Sequence, residues 1–115
     1  MGLLRLVYVV SVCLFAYPLF AQLPPFEDLM RSDANNDSQV TVADASFINN
    51  YLFNGGSTPS CLDAADANDD GSIDVSDSSY ITSYLFLGGP APPSPFPYCG
   101  ADPSSDSLNC QDSAC

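Results

Sequence analysis

Asp33–Gly56 reads DANNDSQVTVADASFINNYLFNGG, and 33 residues later Asp66–Gly89 reads DANDDGSIDVSDSSYITSYLFLGG. Thirteen of the 24 aligned positions are identical, where unrelated stretches of ordinary composition would share about two. Self-similarity at a fixed period marks a duplicated structural unit. In each copy a polar, acidic stretch gives way to apolar residues at helical spacing and stops at Gly-Gly. Ala45, Ile48, Tyr51 and Leu52 stand at i, i+3, i+6 and i+7, as do Ser78, Ile81, Tyr84 and Leu85. That spacing lays one stripe along a helix of about three turns, and such a stripe reads as core packing rather than a cofactor box. Thr41-x-x-Asp44 and Asp74-x-x-Asp77 have the form of N-terminal capping pairs, with anions where the helix dipole favours them. Gly55 and Gly88 suit the left-handed residue that ends a helix. The pattern predicts helices near 42–54 and 75–87.

The acidic stretches ahead of these helices carry the chemistry. Asp33, Asn35, Asp37, Gln39, Thr41 and Asp44 occupy places 1, 3, 5, 7, 9 and 12 of a twelve-residue loop. Asp66, Asn68, Asp70, Ser72, Asp74 and Asp77 occupy the same places in the second copy. This is the spacing of an EF-hand-type calcium loop, with Asp in place of Glu at the twelfth position. A hard cation wants six to eight oxygens at about 2.4 Å, and a tight loop turns alternate side chains inward. Place 7 would contribute its backbone carbonyl, so Gln39 and Ser72 need not match. Val40 and Ile73, at place 8, should point away from the ion and towards one another's loop. One D-x-N-x-D would be no more than a solvated turn before a helix cap; two in register, each with the twelfth-place acid and a following helix, point to calcium. The second loop should be the tighter site, having four acidic candidates and Gly71 at place 6, where a positive φ is needed. The first has three, with Ser38 at that place at a cost of about 1 kcal/mol. The shorter Asp at place 12 should also let both loops accept magnesium more readily than a standard hand. Asn36-Asp37-Ser38 fits a glycosylation triplet, but a metal loop is a poor place for a sugar.

Composition limits the alternatives. The 115 residues contain 14 Asp and Glu, two Arg, no Lys and no His, for a formal net charge of −12. Without His there is no Ser-His-Asp or Cys-His machinery and no His-ligated zinc. Nucleic acid and anionic lipid surfaces would repel such a chain, so a metal cation is the natural partner. Met1–Ala21 carries one cation, Arg5, then an apolar run from Leu6 to Phe20. The run is short for a bilayer span, and small Ala21 follows it; the segment reads as a secretory signal peptide. The expected organisation is a signal peptide over 1–21, a lead-in over 22–32, the repeat pair over 33–89 and a Pro/Cys-rich tail over 90–115. The processed chain would be extracellular or at the cell surface and free of the lipid membrane. It would keep four of five cysteines: Cys61, Cys99, Cys110 and Cys115. An even number in a small exported chain suggests two disulfides. Three pairings are possible; Cys99–Cys110, which closes a short Pro/Gly/Ser-containing loop, is slightly favoured. The tail is expected to be an extended clasp held against the helices.

The fold class expected is all-α, a small duplicated loop–helix pair. Only about nine residues, 57–65, separate Gly56 from the second loop, and they include Pro59 and Cys61, so neither loop has room for a full entering helix. Two short helices bury too little apolar surface to fold unaided. Two calcium ions would neutralise clustered carboxylates and couple metal binding to folding.

A duplicated D-x-N-x-D-G-x-Φ-x-x-x-D loop followed by one helix, without the usual entering helix, resembles a type I dockerin. The tail GGPAPPSPFPYCGADPSSDSLNC and the segment ANDDGSID further resemble dockerin-like modules at the ends of secreted planctomycete-type proteins. The resemblance implies two calcium ions, ligands at the places named above, and docking onto a cohesin-like domain, often to attach polysaccharide-degrading enzymes to a scaffold. In that family cohesin contacts come from places 10 and 11 and from a pair later in the helix. Here those positions hold Val42-Ala43 and Val75-Ser76, then Asn49-Asn50 and Thr82-Ser83, without the usual hydroxyl and basic pairs. The main alternative is a structural calcium-binding protein of the envelope or matrix. An acidic thrombospondin-type repeat would lack the helices. Glycoside hydrolysis is disfavoured because the carboxylates are committed to the loops; no enzymatic activity is expected.

Overall fold

The computed structural model describes residues 28–115, so the signal peptide expected over 1–21 and most of the lead-in lie outside the described residues. Among the described residues three helices follow in order: α1 (Val42–Phe53), α2 (Leu62–Ala65) and α3 (Val75–Phe86). No strand occurs among the described residues, only two isolated antiparallel bridges, Leu29 with Gly100 and Cys61 with Cys110.

Both long helices begin and end by the same chemistry. Thr41 and Asp74 are the N-caps, each in a capping box closed by Asp44 or Asp77. At the far ends Gly55 and Gly88 adopt φ of 68° and 69°. The next glycines then bring their N–H groups back to the carbonyls of Asn50 and Ser83, both at 2.9 Å. A side chain at Gly56 would meet Asn50 at 3.0 Å. The first glycine of each pair therefore supplies the left-handed turn and the second permits the close approach.

The helices α1 and α3 pack on each other, and the core between them repeats like the sequence. Ala34, Ala45, Ile48, Ala65, Ala67 and Ile81 are buried together, with Val40, Phe47, Leu52, Ile73, Tyr80 and Leu85 partly buried around them. Ala34 and Ala67, Ile48 and Ile81, and Val40 and Ile73 are equivalent across the 33-residue repeat. The place-8 residues thus join one core, as the spacing predicts. The single turn α2, in the segment too short for a full entering helix, contributes Ala65 here and Ala64 to a second cluster with Leu29, Cys61 and Cys110.

The tail is a clasp, as expected, but its disulfides are Cys61–Cys110 and Cys99–Cys115. The favoured Cys99–Cys110 pairing is corrected by backbone register. Gly100, next to Cys99, exchanges two hydrogen bonds with Leu29, at 2.9 and 3.0 Å. Cys110 is instead held opposite Cys61, where Leu62 donates to the Asn109 carbonyl and Gln111 to that of Ser60. Loop-closure entropy prefers short loops only weakly, by about 0.6 kcal/mol per doubling of length, so pairing along the chain decides the partners. The rings of Tyr84 and Phe96 meet edge to face at 5.5 Å, and the Tyr80 hydroxyl donates to the Ala91 carbonyl at 2.8 Å.

Candidate metal centres

Each acidic loop is organised by its own carboxylates. Asp33, at place 1, accepts the N–H groups of Asp37 and Ser38 at 3.0 and 2.9 Å. Asp66 accepts those of Asp70 and Gly71 at 3.2 and 2.8 Å. At place 12, Asp44 accepts from Asn35 and Thr41 at 3.2 and 2.8 Å. Asp77 accepts from Asn68 and Asp74 at 3.4 and 2.9 Å. Asp37 and Asp70 each take the N–H two residues on, both at 3.0 Å. The first and last carboxylates of a loop thus face the same interior from opposite ends. The sixth residues carry the turn, Ser38 at φ 69° and Gly71 at φ 84°.

The outcome is two matching triads. Carboxylate oxygens of Asp33, Asp37 and Asp44 lie within 4.8 Å of one another, as do those of Asp66, Asp70 and Asp77. Asp44, Asp66 and Asp77 are fully buried and Asp33 nearly so. Among the described residues no Lys or Arg side chain pairs with either triad; Arg31, the one such cation described, is bonded elsewhere. In the first loop the Asn35 amide oxygen is buried and has no partner among the described residues, an oxygen left over at a place where a cation would want one.

Electrostatics carry the mark of this crowding. Burial pushes the Asp44 carboxyl up to about 6; the N–H groups of Thr41 and Asn35 oppose the shift, and the charges of Asp33 and Asp37 add to it. Asp77 is pushed up to about 7 by burial, against the N–H groups of Asp74 and Asn68 and with the charges of Asp66 and Asp70. Burial also raises Asp33 and Asp66 above the ordinary carboxylate value. A divalent cation supplies what these groups lack, because a nearby positive charge favours the ionised form.

The other expected ligands divide. Asn68 holds its side chain within the loop, accepting from the Asp70 N–H and donating to Ser76, both at 3.2 Å. Gln39 and Ser72 are exposed at place 7, in keeping with a role for the backbone alone. At place 9 Thr41 and Asp74 are turned to their helices, accepting the N–H groups of Ala43 and Ser76 at 3.2 and 2.9 Å. The Ser76 hydroxyl and N–H hold the Asp74 carboxyl below its ordinary value. Asp74 is not among the converging carboxylates, so both loops offer three.

Arg31 is the residue that sequence reasoning missed. Its side chain is wholly buried. It donates to the carbonyls of Asp63 and Ser94 at 2.6 and 3.2 Å and to Asp102 Oδ1 at 2.7 Å, with Asp69 at 3.6 Å. One guanidinium thus ties the lead-in to α2, the second loop and the tail. Burial works against the charge of Asp102, but Ser104 and Arg31 outweigh it and hold that carboxyl below the ordinary value. Asp63 has the opposite fate: burial and the charges of Asp102 and Asp106 push it up to about 7. The signal in the sequence was that Arg31 stands alone among acids, just ahead of a loop.

The family model described as the dockerin type I domain matches residues 31–86. No curated protein and no solved structure matches the chain. The matched segment starts at the buried arginine and ends with α3, and it contains both triads.

Proposed function

Because residues 31–86 belong to the type I dockerin family, we propose that the chain is a secreted, calcium-dependent docking module for a cohesin-like domain. Calcium binding and cohesin docking are properties of that family, whose domain is a non-catalytic docking module. The observation that carries the metal reading is the pair of carboxylate triads with buried members and, among the described residues, no cation paired to them. In the first loop Asp33, Asn35, Asp37 and Asp44 would hold Ca²⁺ by side chains, Gln39 by its carbonyl, and Thr41 directly or through water. In the second the same roles fall to Asp66, Asn68, Asp70, Asp77, Ser72 and Asp74. Gly71 supports tighter binding there, since Ser38 holds the same conformation against the strain of its side chain.

The docking reading rests on the outer helix faces. Val42 and Phe53 are 52% and 67% exposed, and their equivalents Val75 and Phe86 are 54% and 64% exposed. Eleven residues make about three helical turns, so each valine and phenylalanine share a face. That face also carries Ser46 and Asn49 in α1, and Ser79 and Thr82 in α3. Each half thus presents the same apolar ends around a polar middle, and either could engage one partner surface in opposite orientations. A part in assembling polysaccharide-degrading enzymes would follow from the family's usual setting.

Calorimetry against cohesin-like domains, in calcium and in EDTA, tests this. Binding should need calcium, survive Val42→Glu with Phe53→Glu through the α3 face, and vanish when Val75→Glu and Phe86→Glu are added. Equal binding in EDTA, or no binding across the cohesin-like domains of the producing cell, contradicts it and favours a structural calcium-binding role.

A further inference from the structure

A third group of carboxylates converges outside both loops, where the tail crosses α2. Oxygens of Asp63, Asp102 and Asp106 lie within 4.8 Å of one another. Asp63 is the buried member, only 8% exposed, and its Oδ1 is fully buried with no hydrogen-bond partner among the described residues. Nearly every buried polar atom in a folded protein finds a partner, so a buried carboxylate with an unpartnered oxygen beside two further carboxylates points to a cation-binding group.

Arg31 does not fill that need. One of its terminal nitrogens donates to the Asp63 carbonyl and the other to Asp102 Oδ1 and the Ser94 carbonyl, while its buried Nε has no partner among the described residues. Asp102 Oδ1 also accepts the N–H and hydroxyl of Ser104 at 3.0 and 2.8 Å. Asp106 Oδ1 accepts the Leu108 N–H at 2.9 Å. Asp102 Oδ2 and Asp106 Oδ2 take no N–H or O–H among the described residues, so each of the three carboxylates keeps an oxygen to spare. Asp66 and Asp69 also lie close to Asp106. Of these five carboxylates Arg31 pairs only with Asp69 and Asp102, so the group carries more negative charge than its one guanidinium offsets.

We propose that Asp63, Asp102 and Asp106 form a third site for a hard divalent cation, with calcium the preferred occupant, which pins the tail onto α2. Oxygen-only ligands select calcium, magnesium or manganese over zinc or copper. The site would make the tail part of the metal-dependent fold, on the side of the second loop where Asp106 Cβ comes within 3.8 Å of a side-chain position at Gly71. Its three ligands are distinct from the six carboxylates of the loop triads.

Native mass spectrometry of the oxidised protein in excess calcium chloride tests the proposal. Three ions are expected on the wild type. Asp63→Asn and Asp106→Asn, made singly, should each bind one fewer, with at least a tenfold loss of affinity for that ion. An unchanged count in either variant overturns the site, whatever the wild-type number. Asp106 is exposed, so if Asp63→Asn loses its helical circular dichroism, Asp106→Asn decides alone. A wild type with a single ion that both variants lose would keep this site and sink the loop sites instead.

Discussion

Replacing Arg31 with methionine should be among the most damaging single changes to this protein. The side chain is wholly buried, and the substitution removes its bonds to Asp102, Asp63 and Ser94 while keeping much of its apolar stem. The carboxylate of Asp102 would stay in place without its cation. Removing one partner of a buried ion pair costs about 3–5 kcal/mol, because the remaining charge is left uncompensated. For a domain of this size each kcal/mol moves the melting temperature by about 4–8 °C, so a fall of at least about 12 °C is expected. Thermal unfolding followed by far-ultraviolet circular dichroism, in calcium with disulfides intact, measures it. Arg31→Lys keeps the charge but cannot reach all three oxygens and should fall between. The sign with pH is fixed by Asp102, whose folded carboxyl lies below its unfolded value. Its contribution is fully present above about pH 4 and is lost as pH falls through the depressed value, so the gap between Arg31→Met and wild type should narrow in acid. A melting temperature within about 4 °C of wild type at neutral pH would refute the view of Arg31 as the tie between lead-in, loop and tail.

Other expectations follow from the repeat and its loops. Ile48→Ala and Ile81→Ala remove equivalent, fully buried side chains and should each cost about 2–5 kcal/mol in denaturant unfolding; a surface-like effect below about 0.5 kcal/mol in either would deny the shared core. Ser38→Gly should stabilise the calcium-loaded protein by about 1 kcal/mol and Gly71→Ala destabilise it by as much, since both positions hold positive φ; opposite signs would count against the loop geometry. For Asp44 and Asp77, the folded carboxyls lie above the unfolded value, at about 6 and about 7. The folded, calcium-stripped protein therefore binds protons more tightly than the unfolded chain, and its melting temperature should fall as pH rises from about 4 through 7. With calcium the trend should reverse over the same range, because the ligands must lose their protons; parallel profiles would contradict this.

Local patterns were legible from the chain, and contacts between distant segments were not. The helices end at Phe53 and Phe86, one residue short of expectation, because Asn54 and Leu87 serve as C-caps. Those boundaries, the capping boxes and the convergence of places 1, 5 and 12 all depend on residues within a dozen positions of one another. At place 9 Thr41 and Asp74 are good ligands and equally good N-caps, and spacing alone does not separate the two roles; the structure shows the capping bonds. Arg31 bonds to residues 32 to 71 positions away, and Cys61 pairs 49 positions away; periodicity carries no trace of such partners. Asp63 and Asp106 read as ordinary polar residues until the tail brings them together.

Calcium titration of the metal-stripped protein by calorimetry, alongside Asp44→Asn and Asp77→Asn, tests the two loops most directly. Each substitution removes the charge at the closing end of one loop, and each should abolish binding of a single ion while leaving the other loop's heat intact. Wild-type stoichiometry in both variants, or a wild type that takes up no calcium, would contradict calcium binding by these carboxylates.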